Sequence, residues 1–301
     1  MHHVTKLTAE LRRQCNREIH TGQGGAEVFA VDGGRIVKYA SQEKCGANWP
    51  SHQREAAFCR YAQECALPFV PQVHCVCADE DAQVIVQQEH APLSRTQLSE
   101  ALLDAVMDVL AQIHTTPVPD FLAGGGAEPV SFTDAEAEQC LAGWESVLAE
   151  HDGAFSAEVL RKIPAHISAL NLCFFSRLRC LTHGDFHFDN LLMTPDGRVL
   201  VCDWQGCGAG DPSGDLSFFI SRLLSDGYAL DEGWLTARYC FHASQKGLSI
   251  TPSHVRAQMA LANLNTSFRY WHLYLHGAEE GRVRDIFGKM VADFLQLMQA
   301  R

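Results

Sequence analysis

The segment His183-Gly184-Asp185-Phe186-His187-Phe188-Asp189-Asn190 is followed, after a short apolar run and a turn, by Val199-Leu200-Val201-Cys202-Asp203-Trp204. Phosphoryl transfer needs a carboxylate to accept the proton of an attacking hydroxyl, and oxygen ligands to hold Mg²⁺ against the phosphates. Asp185, Asn190 and Asp203 supply that set. Leu191-Leu192-Met193 and Val199 to Cys202 read as strands, and Pro195-Asp196-Gly197 as the turn between them. The open end of this hairpin brings Asn190 and Asp203 together as candidate ligands for Mg²⁺, which prefers hard oxygen donors and retains several waters.

Further upstream, Thr21-Gly22-Gln23-Gly24-Gly25-Ala26-Glu27 precedes a strand at 28–31, a turn at Asp32-Gly33-Gly34 and a strand at 35–40. Gly22, Gly24 and Gly25 would let backbone N–H groups approach phosphates without a Cβ in the way, although an ordinary hairpin connection reads the same. Lys38 lies among apolar strand residues, where an unpaired ammonium is costly to bury, so an anion must meet it. Residues 51–62 are good helix formers preceded by Pro50. On that helix Glu55 is the natural partner for Lys38, with Glu43 and Glu64 as the other acids. Two more strands, at 69–76 and 82–89, lead to Gln88-Glu89-His90-Ala91-Pro92, where the pattern changes from strand to helix.

The order H-G-D-x-x-x-x-N, apolar strand, D-W and then Gly210-Asp211-Pro212-Ser213-Gly214-Asp215-Leu216 resembles the aminoglycoside phosphotransferase and choline kinase family of small-molecule kinases. Leu110-Ala111-Gln112-Ile113-His114-Thr115-Thr116-Pro117 resembles the same group. The resemblance implies an α+β, protein-kinase-like two-lobed fold: a small antiparallel sheet with one key helix, then a mainly α-helical lobe. It implies a nucleotide-binding lobe over 1–88, a hinge over 89–92, and a helical lobe over 93–301 that carries the catalytic loop and the acceptor site. Asp185 is then the catalytic base, Asn190 and Asp203 bind Mg²⁺, and Asp215 braces the catalytic loop. Lys38, oriented by Glu55, meets the phosphates, and the main chain of Gln88, Glu89 and His90 meets the adenine. His183 takes a structural place in the loop, and His187 is close enough to the base to touch substrate or phosphate.

Two details favour a small acceptor. Gly184 stands where the protein-kinase loop has Arg. Only Trp204 to Gly210 separate Asp203 from Asp211-Pro212, which reads as an N-cap and first helical residue, so no peptide-binding activation segment fits. A wide apolar stripe runs from Leu98 to Ile113, and further helical patterns occupy 132–150, 156–172, 213–224, 230–245, 252–276 and 279–299, with a loop over 120–129. Leu264, Phe268, Trp271 and Leu275 share one helical face and read as core. Tyr270 and Tyr274 lie on a neighbouring face and are candidate substrate contacts. Asp226, Asp231, Glu232, Glu279 and Glu280 read as a solvated face or as partners for the amino groups of a ligand.

A chain of 301 residues with a net charge of −12 suits a two-lobed enzyme rather than a nucleic-acid binder, and is compatible with a cationic acceptor. No apolar run is long enough for a bilayer and no cationic-apolar leader is evident, so a cytoplasmic protein without a membrane partner is expected, as monomer or homodimer. Cys59, Cys65, Cys75 and Cys77, with His74, lack zinc-knuckle spacing, and reduced buried thiols are expected of the twelve cysteines. The expected reaction is ATP- and Mg²⁺-dependent transfer of the γ-phosphoryl group to a hydroxyl of an aminoglycoside-like antibiotic, with GTP open as donor. A metabolic kinase for choline, ethanolamine, homoserine or a sugar, and a nucleotide-binding protein without catalysis, are the alternatives.

Overall fold

The computed structural model describes residues 3–19, 24–94, 96, 98–124, 128–151 and 153–301. Helix α1 (His3–Arg12) leads into strands β1 (Cys15–Ile19), β2 (Glu27–Val31) and β3 (Arg35–Ser41), then the one-turn α2 (Gln42–Cys45) and α3 (Trp49–Cys65). Strands β4 (Val73–Ala78) and β5 (Ala82–Gln88) complete an antiparallel sheet in the order β1-β2-β3-β5-β4. Alternation along these strands sends Phe29, Val37, Val84 and Val86 to one face, where Val4 and Leu11 of α1 cover them. Lys38, in register with Val28 and Ile85, belongs to the alternate set. Neither α1 nor β1 is among the expected elements. The expected strand at 69–76 begins only at Val73, because Pro68 and Pro71 have no N–H for a ladder. Phe69 instead accepts the Val201 N–H at 2.7 Å, which ties this segment to the hairpin that ends before Asp203.

The chain continues through the two-residue β6 (Ala91–Pro92) and α4 (Glu100–Thr115) to α5 (Asp134–Ala149) and α6 (Ile163–Cys173). It then runs through β7 (Cys180–Thr182), β8 (Leu191–Met193), β9 (Val199–Val201) and β10 (Gly208–Gly210) to α7 (Ser213–Ser225) and α8 (Glu232–Gln245). Helices α9 (Pro252–Tyr270) and α10 (Glu280–Ala300) end it. β8 and β9 form the expected hairpin, with Leu191 opposite Val201, so its open end is flanked by Asn190 and Asp203. α6 starts later than the expected 156, because Pro164 is tolerated only in a first turn.

Two compact units result. The first comprises 1–125 and 179–249, with the sheet, α4, α7, α8 and the β8–β9 hairpin; residues 89–92 lie within it. The second, 126–178 and 250–301, packs α5, α6, α9 and α10 around Trp144, Ile167, Leu264, Phe268 and Phe294. The expected helix over 252–276 ends at Tyr270 and continues as a 3₁₀ turn, Trp271–Tyr274. Trp144 Nε1 donates to the carbonyls of both Ser267 and Phe268 at 3.2 Å, competing with the N–H groups one turn on. Leu264, Phe268 and Leu275 are buried and Trp271 is half-buried, as their shared face predicts. No helix among the described residues is long and apolar enough to cross a membrane.

Candidate active site

Lys38 of β3 places its ammonium 2.9 Å from Oε1 of Glu55 on α3 and 2.7 Å from Oδ1 of Asp203. The structure thus selects Glu55 from the three acids that the sequence left open. Burial works against the Lys38 cation, but Glu55 and Asp203 outweigh it and hold its pKa above the ordinary lysine value. Burial would likewise raise the Asp203 carboxyl, yet the Lys38 ammonium and the Gln205 amide keep it below the usual aspartate value. Asp203 has φ +63°, a left-handed backbone that few non-glycine residues adopt. Trp204 beside it is buried, stacked on Phe58 of α3 at 4.0 Å, with its Nε1–H donated to Val201 O. The D-W pair therefore turns the chain sharply out of β9 and pins the turn against α3.

The H-G-D loop is held at five of its residues by α7. Asp215 accepts the N–H groups of His183 and Gly184 at 2.7 and 2.8 Å. One turn on, Phe219 packs on Phe186 and Phe218 meets the edge of His187, and a further turn on Arg222 lies 3.9 Å from Asp189. Behind Asp215, His114 of α4 approaches it at 3.2 Å through Nε2, while Nδ1 pairs with the Tyr239 hydroxyl of α8 at 2.7 Å. The buried His183 donates from Nε2 to Cys202 O at 3.0 Å and accepts the Asp185 N–H on Nδ1. Burial lowers its pKa and keeps the ring neutral, as that pair of bonds requires. Asp211 accepts the Ser213 N–H at 2.9 Å just before α7, which begins at Ser213 with Pro212 in the N-cap position, one residue later than expected.

Asp185 is left with its carboxylate half exposed. Asn190 Nδ2 donates to Asp185 O at 2.9 Å and reaches Asp185 Oδ2 at 3.3 Å, and His187 Nε2 stands 3.5 Å from Asp185 Oδ2. Asn190 spends its amide N–H on the loop, which leaves Oδ1 as the atom that could meet a metal. Asp203 spends Oδ1 on Lys38 and Gln205, which leaves Oδ2. Two hard oxygens flanking one hairpin mouth fit a Mg²⁺ that keeps waters and phosphate oxygens as its remaining ligands. Among the described residues no group of three or more His, Cys, Asp or Glu side chains converges on a metal position. Burial pushes the Cys202 and Cys207 thiols up to about 12, so both are protonated.

A cavity of about 410 Å³ is lined by Ile19, Val28, Ile36, Leu192, Cys202 and the segment Gln88 to His90. The N–H groups of Gln88 and Glu89 are committed to Gln72 O and Gly34 O, at 2.8 Å each. The carbonyls of Glu89 and His90 and the His90 N–H are what remain for a ligand in this cavity. Gly24 and Gly25 enter β2; Gly22 lies outside the described residues. Tyr270 and Tyr274 belong to the second unit, 49 % and 72 % exposed. Sequence reasoning passed over His52, Gln205, Tyr239 and Phe218, because single polar or aromatic residues carry no spacing signal until the fold brings partners to them.

A small antiparallel sheet with one bracing helix, a lysine–glutamate–aspartate triad and a helix-held H-G-D loop define a protein-kinase-like fold. The model of the phosphotransferase enzyme family matches residues 17–241, more than half of the chain, and the chain belongs to that family. It is an enzyme, a phosphotransferase with an alcohol group as acceptor. Among solved structures it is similar to the ADP-bound aminoglycoside phosphotransferase APH(2'')-Ib, with a TM-score of 0.57, 17% identity, and 96% of this chain and 97% of that one covered. It is similar to APH(2'')-IIa in its gentamicin complex, at TM-score 0.55, 18% identity, and 100% and 98% coverage. The macrolide 2'-phosphotransferase MphH from Brachybacterium faecium gives TM-score 0.54, 17% identity, and 94% and 95% coverage. At these identities the likeness is one of fold. No curated protein matches the chain.

Proposed function

We propose that this enzyme moves the γ-phosphoryl group of ATP, with Mg²⁺, to a hydroxyl of a small molecule, and that an aminoglycoside-like antibiotic is the acceptor. The observation that carries the reading is the convergence of Lys38, Glu55 and Asp203 at one end of a hairpin whose other strand starts beside Asn190 and Asp185. In this reading residues 1–88 hold the nucleotide, 89–92 form the hinge, and 93–301 carry the catalytic loop and the acceptor. The base lies in the 410 Å³ cavity, against Ile36 and Leu192 and the main chain of Gln88, Glu89 and His90. Lys38 faces the phosphates, with its charge fixed by Glu55. Asn190 Oδ1 and Asp203 Oδ2 would hold Mg²⁺, which when bound neutralises the charge of the phosphate oxygens. Asp185 orients the acceptor hydroxyl and takes its proton, and the α7 contacts keep that carboxylate in place, so catalysis is mainly positioning. Complexes of neighbours with ADP or GDP support a nucleotide donor, with ATP preferred here and GTP the alternative. The protein is read as cytoplasmic.

A second acceptor class is favoured by the wall next to the base. Phe218 is 40 % exposed and lies against His187, with Arg222 a turn away. An apolar ring and a cation suit the large apolar ring of a macrolide better than a polyamine. ADP release should be measured with aminoglycosides, macrolides, choline, homoserine and sugars. Release with an aminoglycoside alone supports the first reading and release with a macrolide the second. Silence with all of them, despite MgATP binding, rejects both.

A further inference from the structure

The buried polar residue that this mechanism does not use is His52, on α3 one turn before Glu55. Its side chain is 0 % exposed, and Nε2 lies 2.9 Å from the carbonyl oxygen of Gly24 in the glycine-rich turn. A carbonyl only accepts, so Nε2 carries the proton. Nδ1 is then a bare acceptor, buried without a hydrogen-bond partner among the described residues, 4.0 Å from Oε2 of Glu55. The main chain of His52 is fixed too, since its carbonyl accepts Gln83 Nε2 from β5 at 2.6 Å. Gly24 has no room to retreat: a Cβ there would stand 3.1 Å from Gln205 Oε1 and 3.2 Å from His52 Nε2. Gln205 in turn donates to Asp203 Oδ1 at 2.7 Å, and its carbonyl accepts from Arg54, also on α3, at 3.3 Å.

One turn of α3 therefore reaches three parts of the site. His52 holds the glycine turn, Arg54 holds the segment after Asp203, and Glu55 holds Lys38. We propose that His52 is a positioning residue for the nucleotide phosphates, tethering the glycine-rich turn to the helix that sets Lys38. A buried imidazole with one unsatisfied nitrogen is a costly way to fill space. The tether it provides fixes the Gly24 backbone to the same helix whose Glu55 meets Lys38, so that the turn and the lysine are set by one element. The inference rests on the nucleotide-binding reading above.

The test is equilibrium binding of MgATP, MgGTP and adenosine to the wild type, His52→Phe, His52→Gln and Gly24→Ala, with melting temperatures recorded alongside. Phe keeps the bulk and removes the donor, while Gln presents an N–H at similar reach. Loss of one positioning hydrogen bond should weaken MgATP by about five- to tenfold in His52→Phe. Adenosine, which has no phosphates, should keep its affinity within about twofold, and His52→Gln should recover MgATP binding. Gly24→Ala should weaken MgATP in the same selective way from the loop side, and it decides the matter if His52→Phe does not fold. Unchanged MgATP affinity, or equal losses for MgATP and adenosine, overturns the role of His52. A wild type that binds neither triphosphate overturns the nucleotide reading itself.

Discussion

A Cβ on Gly184 would stand 2.1 Å from the carbonyl oxygen of Gly206, and Gly184 has φ +78°. The catalytic loop and the segment after Asp203 touch backbone to backbone at this point. Steric contact and backbone conformation each exclude a side chain, so the glycine that replaces the protein-kinase arginine is a requirement of this packing. Gly184→Ala should lower stability by about 2–4 kcal/mol and turnover by at least about a hundredfold, because Asp185 follows directly. Gly288→Ala, on an exposed face of α10 with nothing within 4 Å of the added carbon, is the control. It should stabilise by about 0.5–1 kcal/mol. Urea unfolding of both variants checks the pair, and a Gly184→Ala protein as stable as wild type would show that the loop can separate from Gly206.

Asp185→Asn keeps the shape of the loop and removes the proton acceptor. Turnover should fall by about a thousandfold or more while MgATP affinity stays within about twofold. Single-turnover kinetics and calorimetry read the two quantities separately. Turnover near wild type would remove Asp185 from its assigned role.

Lys38→Met leaves the buried Glu55 carboxylate facing Asp203 with no cation between them. A loss of about 3 kcal/mol is expected. Adding Glu55→Gln should restore part of it, because the uncompensated buried charge is then gone. A double-mutant cycle with chemical denaturation measures the coupling, and additive losses would mean that the ion pair contributes little.

Asp215 gives the fold a dependence on acid. Burial would raise its carboxyl, but the His114 hydrogen bond and the N–H of His183 outweigh this and bring its pKa below the usual aspartate value. A carboxyl whose folded pKa is depressed stabilises above its unfolded pKa, about 3.9, and that stability is lost as pH falls through the lower folded value. Unfolding free energy should therefore decline progressively below about pH 4. Asp215→Asn should be less stable at neutral pH, by about 2–4 kcal/mol, and should show a shallower acid decline. Denaturation curves from pH 7 to pH 3 supply the comparison, and parallel pH profiles for the two proteins would count against the brace.

What could be read in the sequence was local. The hairpin behind Asn190 and Asp203 needs only two apolar runs and a Pro-Asp-Gly turn, and it forms where expected. The core face of Leu264, Phe268 and Leu275 follows from helical period. Elements whose signal depends on distant partners were less legible. β1 has only edge pairing to β2, and α1 is explained by the sheet face that it covers. α9 gives way to a 3₁₀ turn after Tyr270, where an indole from α5 shares the Ser267 and Phe268 carbonyls, and nothing in residues 252–276 announces that.

The candidate site divides in the same way. The sequence alone marked the chemistry on offer: which carboxylate stands in the H-G-D loop, which oxygens could take a metal, and that a cation on β3 required an anion. It did so because carboxylate, amide and lysine chemistry belong to the residue, and their order along the chain survives folding. The tertiary structure alone decided which of three acids meets Lys38, why Gly184 admits no side chain, and that one turn of α3 reaches the glycine turn, Asp203's neighbour and Lys38 together. Those are contacts between segments far apart in the chain, and their distances are fixed only when the sheet, α3 and the catalytic hairpin close on one another.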